Sequence, residues 1–369
     1  MKVLAIVHGI YDTSPGQRYR IEQWEPLLQE KGVEITYAPF ETEELRQILH
    51  QSGNTWQKFK AVAEGMNRRR RQIKSLAGYD LIYVFREAAL LGPPWFERRF
   101  ARSGIPMVFD FDDAIFQTYR SPSNGYLSYL KFPAKTGEIC RLSAHVMVGN
   151  QYLADYAGEF NKNVTIVPTT IDTEKYTIAE KDSDAETLTV GWSGSFSTVQ
   201  HLDTIRDVLQ ELAQAEKFRL RVIGSSAEYE LPGVEVEAIK WRSETETEDL
   251  RSIDIGIMPL PDDLWSKGKC GAKALQYMAL GIPTVCSPVG VNSTIIRDGE
   301  NGFLADGKAE WIEKLKKLIH SAELRKKLGA AGRKTVEESY SAKSQAPRVF
   351  EIFQSAVKKA QKTKTSSVK

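Results

Sequence analysis

Short hydrophobic runs alternate with longer amphipathic stretches along most of the chain. Such runs are typical of strands that a parallel sheet buries on both faces, whereas the stretches between them place apolar residues at helical intervals. Regular alternation of strand and helix predicts an α/β fold with doubly wound parallel sheets. The predicted strands are residues 2–7, 33–37, 81–85, 106–109, 145–149, 164–167, 188–192, 218–223, 234–238, 253–258 and 284–287.

The same pattern divides the chain into two domains. Residues 171–186 are polar and without period, which is typical of a linker, so we predict a first domain at 1–170 and a second at 187–342. The polar, basic residues 361–369 are predicted to be disordered. The predicted helices are 18–31, 55–76, 94–103, 138–142, one from Asn150, 199–215, 247–252, one from Ala272, 310–320, 322–339 and 346–360.

Composition narrows the class of protein. A chain of 369 residues with 41% hydrophobic and 27% charged residues has the usual make-up of a globular protein with two domains. Its net charge of +2 gives no reason to expect nucleic acid. The three cysteines show no paired spacing, which favours a reducing cytoplasm. No apolar run reaches the ~18 residues of a membrane span, so any membrane contact is expected to be peripheral.

Residues 267–290 are the stretch richest in candidate chemistry, and they predict an anion-binding site. Gly268 and Gly271 let the backbone approach a ligand, and a helix from Ala272 would point its free N–H groups at it. Helical spacing places Lys273 and Gln276 on one side, opposite an apolar face. The alternative is an ordinary helix with an exposed basic end. The cations at this end are Lys267, Lys269 and Lys273.

The segment Lys273-x-x-Gln276-Tyr-Met-Ala-x-Gly281-x-Pro283 resembles the donor-binding signature of the family-four (group 1) glycosyltransferases. The resemblance implies a GT-B fold, in which two Rossmann-like domains face a cleft and a last helix, here 346–360, crosses back to the first domain. It also implies retention of anomeric configuration and no metal or other cofactor. The family usually carries a pair of glutamates here, and this sequence has Gly268 and Gln276 at those positions.

A small-residue loop after the strand at 188–192 is the second candidate for phosphate binding. The backbone N–H groups and hydroxyls of Ser193, Gly194 and Ser195 could cradle a phosphate. Related transferases usually carry an arginine and a lysine near this loop, and their absence leaves the phosphate charge to the lysines near residue 270. The resemblance also places Trp241 and Arg242 along the nucleotide base. The donor-binding residues expected in the second domain are Ser193, Gly194, Ser195, Trp241, Arg242, Lys267, Lys269, Cys270, Gly271 and Gln276.

Two further groups of residues follow strands of the first domain. Gly16 and Arg18 lie in the loop and helix after the first strand, where ligands bind in such sheets. The strand at 106–109 runs into Asp110-Phe-Asp112-Asp113. In the transferases that the sequence resembles, a polar residue at this place faces the reactive carbon of the sugar, which implies catalytic roles for Asp112 and Asp113 beside Lys273. A haloacid-type phosphatase nucleophile and a metal site at Asp110 and Asp112 are the alternatives.

Two basic clusters, at residues 68–71 and 97–102, lie on predicted helices. Solvated helix faces are the ordinary interpretation of such clusters, and an anionic membrane is the other.

Together these observations predict a cytoplasmic glycosyltransferase that takes a nucleotide-diphosphate sugar as donor. The expected acceptor is a glycan or a lipid-linked molecule, in the biosynthesis of cell-surface polysaccharide. The alternative is a non-catalytic nucleotide-sugar or glycan-binding protein of the same fold, because both family glutamates are replaced.

Overall fold

The computed structural model describes residues 1–49, 54–117, 132–178, 187–194, 198–224 and 229–367. The chain divides into two compact units. Unit 1 comprises Met1–Pro168 and Gln345–Lys369, and unit 2 comprises Thr169–Ser344.

Unit 1 is built on a parallel sheet with the strand order β2-β1-β3-β4-β5-β6. Its central strands are almost entirely buried, as their continuous apolar runs predict. The order reverses between β1 and β3, and ligands of open α/β sheets bind beyond the carboxyl ends of the strands at such a point. The strands are β1 (Lys2–Val7), β2 (Glu34–Pro39), β3 (Leu81–Phe85), β4 (Met107–Phe111), β5 (His145–Val148) and β6 (Val164–Ile166).

Helices cover both faces of this sheet. Right-handed crossovers place α4 to α7 side by side on one face. On the other face the last helix, α16, packs through Phe353 against Tyr83 and through Phe350 beneath Lys31, which follows α2. The helices are α1 (Pro15–Gln17), a π-helical turn (Arg18–Glu22), α2 (Gln23–Gln29), α3 (Glu43–Leu49), α4 (Thr55–Lys74), α5 (Trp95–Arg102), α6 (Lys135–Leu142), α7 (Gln151–Gly158) and, at the end of the chain, α16 (Ala342–Ser367).

Unit 2 is built on a second parallel sheet, with the order β12-β11-β10-β7-β8-β9. Its order reverses between β7 and β10, which is the arrangement of a Rossmann fold. The strands are β7 (Leu188–Ser193), β8 (Phe218–Ile223), β9 (Glu235–Ile239), β10 (Ile255–Met258), β11 (Thr284–Cys286) and β12 (Phe303–Leu304). The helices are α8 (Val199–Asp203), α9 (Arg206–Ala215), α10 (Glu246–Arg251), α11 (Leu264–Lys267), α12 (Ala272–Ala279), α13 (Asn292–Ile295), α14 (Gly307–His320), α15 (Ala322–Thr335) and a π-helical turn (Val336–Tyr340).

The structure differs from the sequence prediction mainly where helices break or continue. The helix predicted at 199–215 is interrupted between α8 and α9, and the one predicted at 322–339 ends in a π-helical turn. The last helix continues through residues 361–367, which were predicted to be disordered, because that segment contains no proline or glycine to stop it. Residues 368–369 lie outside the described residues.

The segment predicted to be a linker begins as part of unit 2. Ile171 forms a parallel bridge with Ser341, and the buried Tyr176 donates a hydrogen bond to Glu246. This polar segment, which shows no hydrophobic periodicity, therefore packs through single buried side chains. The hydrophobic pattern of a sequence does not reveal isolated contacts of this kind. Residues 179–186 of the predicted linker lie outside the described residues.

Among the described residues, no helix combines the length and the apolar character that crossing a membrane requires.

Candidate functional site

One tyrosine of α12, Tyr277, joins this helix to the carboxyl end of β7. The hydroxyl of Tyr277 accepts a hydrogen bond from the backbone N–H of Ser193, at a distance of 2.8 Å. Gly256 in β10 makes room for the ring, since a Cβ there would lie 2.5 Å from Tyr277. Burial raises the pKa of Tyr277, so its hydroxyl stays neutral. The hydrogen bond thereby links the second turn of α12 to the end of β7, at the point where the strand order reverses.

Lys273 and Gly271 lie at the N-terminal end of α12. The Lys273 ammonium stands 5.5 Å from the ring centroid of the buried Trp192 in β7, a cation–π contact. Gly271, at the N-cap, has φ +71°, and a Cβ there would lie 2.4 Å from Ile295. Only glycine adopts this conformation readily with a neighbour so close. Lys273, in the first turn of α12, therefore contacts β7 one residue before that strand ends at Ser193.

The loop after β7 also depends on glycine. A Cβ on Gly194 would meet the Trp192 ring at 2.4 Å, and one on Gly224, after β8, would lie 2.1 Å from the Gly194 carbonyl oxygen. The ends of β7 and β8 therefore touch backbone to backbone. Ser195 lies outside the described residues.

The other cations of the 267–271 stretch have partners nearby. Lys267 forms an ion pair with Asp262 at 3.2 Å, and the Lys269 ammonium lies 5.0 Å from the ring centroid of Trp265. The Cys270 thiol is buried and donates a long hydrogen bond to the Gly268 carbonyl oxygen. Lys273 of the same stretch contacts β7 through the ring of Trp192.

Gln276 is buried in a polar network that the sequence did not predict. Its amide nitrogen lies 3.3 Å from both the Tyr176 hydroxyl and a carboxylate oxygen of Glu246. The same carboxylate accepts hydrogen bonds from the indole N–H of Trp241 and from Tyr176. Glu246 is only 3% exposed, so α10 supplies a buried carboxylate beside Gln276. Arg242, next to Trp241, is exposed.

A cluster of charged side chains lies at the carboxyl edge of the unit 1 sheet. Arg86, directly after β3, forms ion pairs with Asp112 at 2.7 Å and Asp113 at 3.4 Å. A Cβ on Gly16 would lie 2.8 Å from the Arg86 guanidinium and 2.9 Å from the Asp112 carboxylate. The Arg86–Asp112 ion pair therefore packs directly against the backbone of Gly16. Arg86 has φ +60°, an uncommon conformation for a residue other than glycine.

His8, the residue after β1, packs at the same edge. Its ring is partly buried and stacks on Phe85, with ring centroids 5.7 Å apart. Burial, together with the nearby charges of Arg86 and Arg69, lowers the pKa of His8 to about 3. His8 is therefore neutral at physiological pH and adds no charge to the cluster.

Arg18 and Asp110 are enclosed in the protein. The Arg18 guanidinium is 5% exposed and pairs with Asp12 at 2.7 Å, which favours a structural role over ligand binding. Asp110 is fully buried, where it forms a two-pronged ion pair with Arg20 and accepts a hydrogen bond from Tyr83. Burial and the adjacent carboxylate raise the pKa of Tyr83, so its hydroxyl remains a donor. Across the described ranges, no group of three or more His, Cys, Asp and Glu side chains is arranged to hold a metal ion.

Comparison with known proteins shows what the second unit is similar to. Residues 187–321 match the family described as "Glycosyl transferases group 1". The matched region, which covers less than half of the chain, is thus similar to the group 1 glycosyltransferases. The chain is 31% identical over 109 residues to a D-inositol 3-phosphate glycosyltransferase of Paenarthrobacter aurescens (strain TC1), a match that covers 29% of this chain and 25% of that protein. It is 40% identical over 67 residues to EpsD of Bacillus subtilis (strain 168), which is 18% of each chain. The matched segments thus span a quarter or less of these two relatives.

Solved structures share the fold over a longer part of the chain. A sucrose-phosphate synthase from Thermosynechococcus elongatus superposes with a TM-score of 0.67 at 13% identity, covering 96% of this chain and 99% of that one. HepE from Anabaena in complex with UDP-glucose gives a TM-score of 0.65 at 13% identity, covering 96% and 100%. The predicted fold class, two Rossmann-like doubly wound units of GT-B type, is confirmed.

Sequence reasoning missed two residues of these sites, Arg86 and Glu246. Arg86 comes directly after a buried strand, and residues in that position lie at the carboxyl edge of a parallel sheet, where ligands bind. This position in the sequence could have identified Arg86 as a candidate site residue. Glu246 belongs to a run of acids in the first turn of α10, where carboxylates are common because they oppose the helix dipole. Nothing in that pattern distinguishes the buried glutamate from its exposed neighbours.

Proposed function

We propose that the protein transfers a hexose from a nucleotide-diphosphate sugar to a glycan or lipid-linked acceptor, with retention of anomeric configuration. The observation that carries this proposal is the position of Lys273. Its ammonium lies 5.5 Å from the ring centroid of Trp192, the residue before Ser193, and Lys273 belongs to the first turn of α12. The proposal is supported by the match of residues 187–321 to the group 1 glycosyltransferases and by HepE, of the same fold, which has been crystallised with UDP and with UDP-glucose.

The chemistry assigned to this end of α12 is stabilisation of the leaving group. When the bond between sugar and phosphate breaks, negative charge grows on the diphosphate. A fixed cation and fixed backbone N–H groups stabilise that charge without having to reorganise. The leaving phosphate itself would accept the proton of the attacking acceptor hydroxyl. In this scheme Gly271 provides close backbone approach, and Trp192 holds the Lys273 ammonium in place.

In unit 1 we assign the sugar and acceptor side to the cluster on Gly16. Asp112 is only 9% exposed and remains paired with Arg86, so its carboxylate is held in one orientation. One guanidinium faces two carboxylates, Asp112 and Asp113, which leaves one net negative charge to hold a sugar hydroxyl or oppose positive charge at the anomeric carbon. We propose that transfer needs no metal, so activity should persist in a chelator.

The biological setting we propose is the assembly of cell-surface polysaccharide at the cytoplasmic side of the membrane. It rests on the family resemblance alone. The base, the sugar and the acceptor depend on pocket shape and loops, and a thermal-shift screen against nucleotide diphosphates and their sugar conjugates would identify the donor, because a ligand that binds the folded state raises Tm.

Lys273→Ala tests the leaving-group role directly. We expect a loss of ~3 kcal/mol of transition-state stabilisation, since removal of one preorganised donor has a cost of this order elsewhere. Lys326→Ala removes an exposed lysine on α15 and serves as the control. Turnover of an identified donor by Lys273→Ala at the wild-type rate would contradict the assignment.

Asp112→Asn separates chemistry from donor binding. The amide keeps the shape but not the charge, so turnover should fall while donor affinity stays close to wild type. An equal loss of both would make Asp112 a structural residue that supports Arg86.

A non-catalytic binding protein is the second candidate. The observation that favours it is the replacement of both family glutamates, at Gly268 and at Gln276, and the enclosure of Gln276 in the Glu246 network. Slow donor hydrolysis without acceptor would support the transferase. Tight donor binding with neither hydrolysis nor transfer for any acceptor would support the binding protein.

A further inference from the structure

Two aromatic side chains on α4 are exposed to a degree unusual for their type. Trp56 is 75% exposed and Phe59 is 64% exposed, and the two rings stack on each other with centroids 5.8 Å apart. Both lie at the N-terminal end of the helix. Two adjacent aromatic rings with this much exposure are more typical of an interaction surface than of ordinary solvent-facing positions.

The orientation of α4 is fixed from its opposite side. Arg69 is fully buried and donates hydrogen bonds to the carbonyl oxygens of Val7, Ala38 and Ala88. Gly65 lets the helix approach Phe40, since a Cβ there would lie 2.7 Å from that ring. These contacts commit one face of α4 to the sheet, so the aromatic pair is held on the outer face.

The outer face of α4 continues as a row of cations. Helical spacing places the row in line with the aromatic pair. The cations are Lys60, Arg70, Arg71 and Lys74, all exposed, with Glu64 as the acid among them. The basic cluster at 68–71 therefore divides: Arg68 and Arg69 bind backbone carbonyls inside, and Arg70 and Arg71 face outward.

Helix α5, which packs beside α4, repeats this arrangement. Trp95 at its N-terminus is 50% exposed, and Arg99 and Arg102 follow on the same helix face and are exposed. Because each helix precedes a strand of the parallel sheet, both helices begin at the carboxyl edge. The exposed aromatics therefore lie toward the edge that carries the Arg86–Asp112 pair.

We propose that the outer faces of α4 and α5 bind the surface of an anionic lipid bilayer. Indole and phenyl rings partition to the headgroup level, and arginine and lysine are attracted to lipid phosphates. Charge complementarity selects this partner, since cations line both helices behind the aromatic ends. A surface bound this way would bring the carboxyl edge of the unit 1 sheet close to lipid-linked molecules. The inference does not require the transferase activity, because binding is measured without donor or acceptor.

The test is co-sedimentation of the full chain with vesicles. We expect binding to phosphatidylcholine vesicles that contain phosphatidylglycerol, little binding to phosphatidylcholine alone, and release at high salt, where surface charges are screened. Arg70→Ala and Arg71→Ala should each reduce the partition coefficient about fivefold. Lys326→Ala and Lys327→Ala, at an exposed lysine pair on α15, each remove one positive charge as the arginine variants do, and each should leave binding unchanged.

The aromatic pair is tested by its depth in the bilayer. Lipids brominated in the acyl chain should quench tryptophan emission, and Trp56→Phe, which keeps an aromatic ring, should lose much of this quenching. The proposal would be overturned if the protein bound neutral vesicles as well as anionic ones, or if the α15 lysine variants lost as much binding as the arginine variants. It would also be overturned if quenching in Trp56→Phe were the same as in wild type. So would self-association of the chain that Trp56→Ala abolishes without any vesicle binding, because the aromatics would then join two copies. Unchanged thermal melting of each variant shows that the loss is not unfolding.

Discussion

The side-chain amide nitrogen of Gln276 lies 3.3 Å from a carboxylate oxygen of Glu246, and both side chains are buried. The carboxylate at this place therefore comes from α10, and α12 contributes a donor to it. A second carboxylate at position 276 would meet the first one in a site closed to water. This relationship gives a physical reason for glutamine where the resembled family usually has glutamate.

Gln276→Glu should destabilise unit 2 in a pH-dependent way. The substitution removes a hydrogen-bond donor and brings like charges together, which should cost about 1–3 kcal/mol or more at neutral pH. The new carboxyl would have a raised pKa in the folded state, so its deficit grows as pH rises above its ordinary value and shrinks in acid. Thermal unfolding of variant and wild type over that pH range measures the difference.

Glu246→Gln added to Gln276→Glu provides the control. The double variant again holds one carboxylate and one amide, so it should recover part of the stability lost in the single variant. Strictly additive losses would show that the two side chains do not interact.

Asp110→Ala should destabilise unit 1 more than Asp112→Ala does. Asp110 and Arg20 form a pair that is completely buried, and removing one partner of such a pair costs about 3–5 kcal/mol because the other charge is left uncompensated. Arg86 is 25% exposed, and solvent screens its charge when Asp112 is absent. Denaturant unfolding compares the two, and equal losses would argue against the structural role of Asp110.

Gly16→Ala should displace the Arg86–Asp112 pair. The added Cβ would lie within 3 Å of both side chains, so at least one of them must shift from its present position. We expect reduced turnover with a small change in stability. Gly158→Ala is the matched control, since a Cβ on Gly158 meets no described atom within 4 Å. Full turnover in Gly16→Ala would remove this cluster from the site.

Acidification should destabilise unit 1 through His145. Partial burial and the charge of Lys359 lower the pKa of His145 to about 4. The unfolded chain takes up the proton near the ordinary value of 6.5, so the stability that the neutral ring contributes is present above 6.5 and lost as pH falls toward about 4. A loss of about 1 kcal/mol lowers Tm by roughly 2–4 °C in a unit of this size.

His145→Gln isolates this contribution. Its Tm should fall less than that of wild type over the same pH interval, while His8, with a pKa of about 3, contributes equally to both proteins. Parallel curves for the two proteins would show that His145 does not titrate as its surroundings predict.

Much of the fold could be predicted because buried parallel strands appear in the sequence as continuous apolar runs. The run at Leu81–Phe85 is a strand with the predicted bounds, and Phe218–Ile223 is another. Short helices such as α11 and α13 were missed, since four residues carry no measurable period. Helix ends were less certain than helix positions, because breaks such as that between α8 and α9 depend on tertiary packing.

The candidate sites were predictable only where chemistry is local in sequence. Gly271 and Lys273 lie in one short stretch, and spacing was enough to place them together. Other contacts join residues that lie on different helices, strands or loops of one unit: Lys273–Trp192, Gln276–Glu246 and Gly16–Arg86. Periodicity does not carry that information, since it reports which face of an element is buried and not which neighbour covers it.

The placement of α16 has a consequence for synthesis of the protein. Unit 2 is continuous in sequence, whereas unit 1 includes Phe350 and Phe353 near the end of the chain. On a ribosome, which makes the chain in sequence order, the sheet of unit 1 must wait with the ring of Tyr83 uncovered until unit 2 and then Phe353 have been made. We expect that interval to be the period in which nascent chains depend most on chaperones.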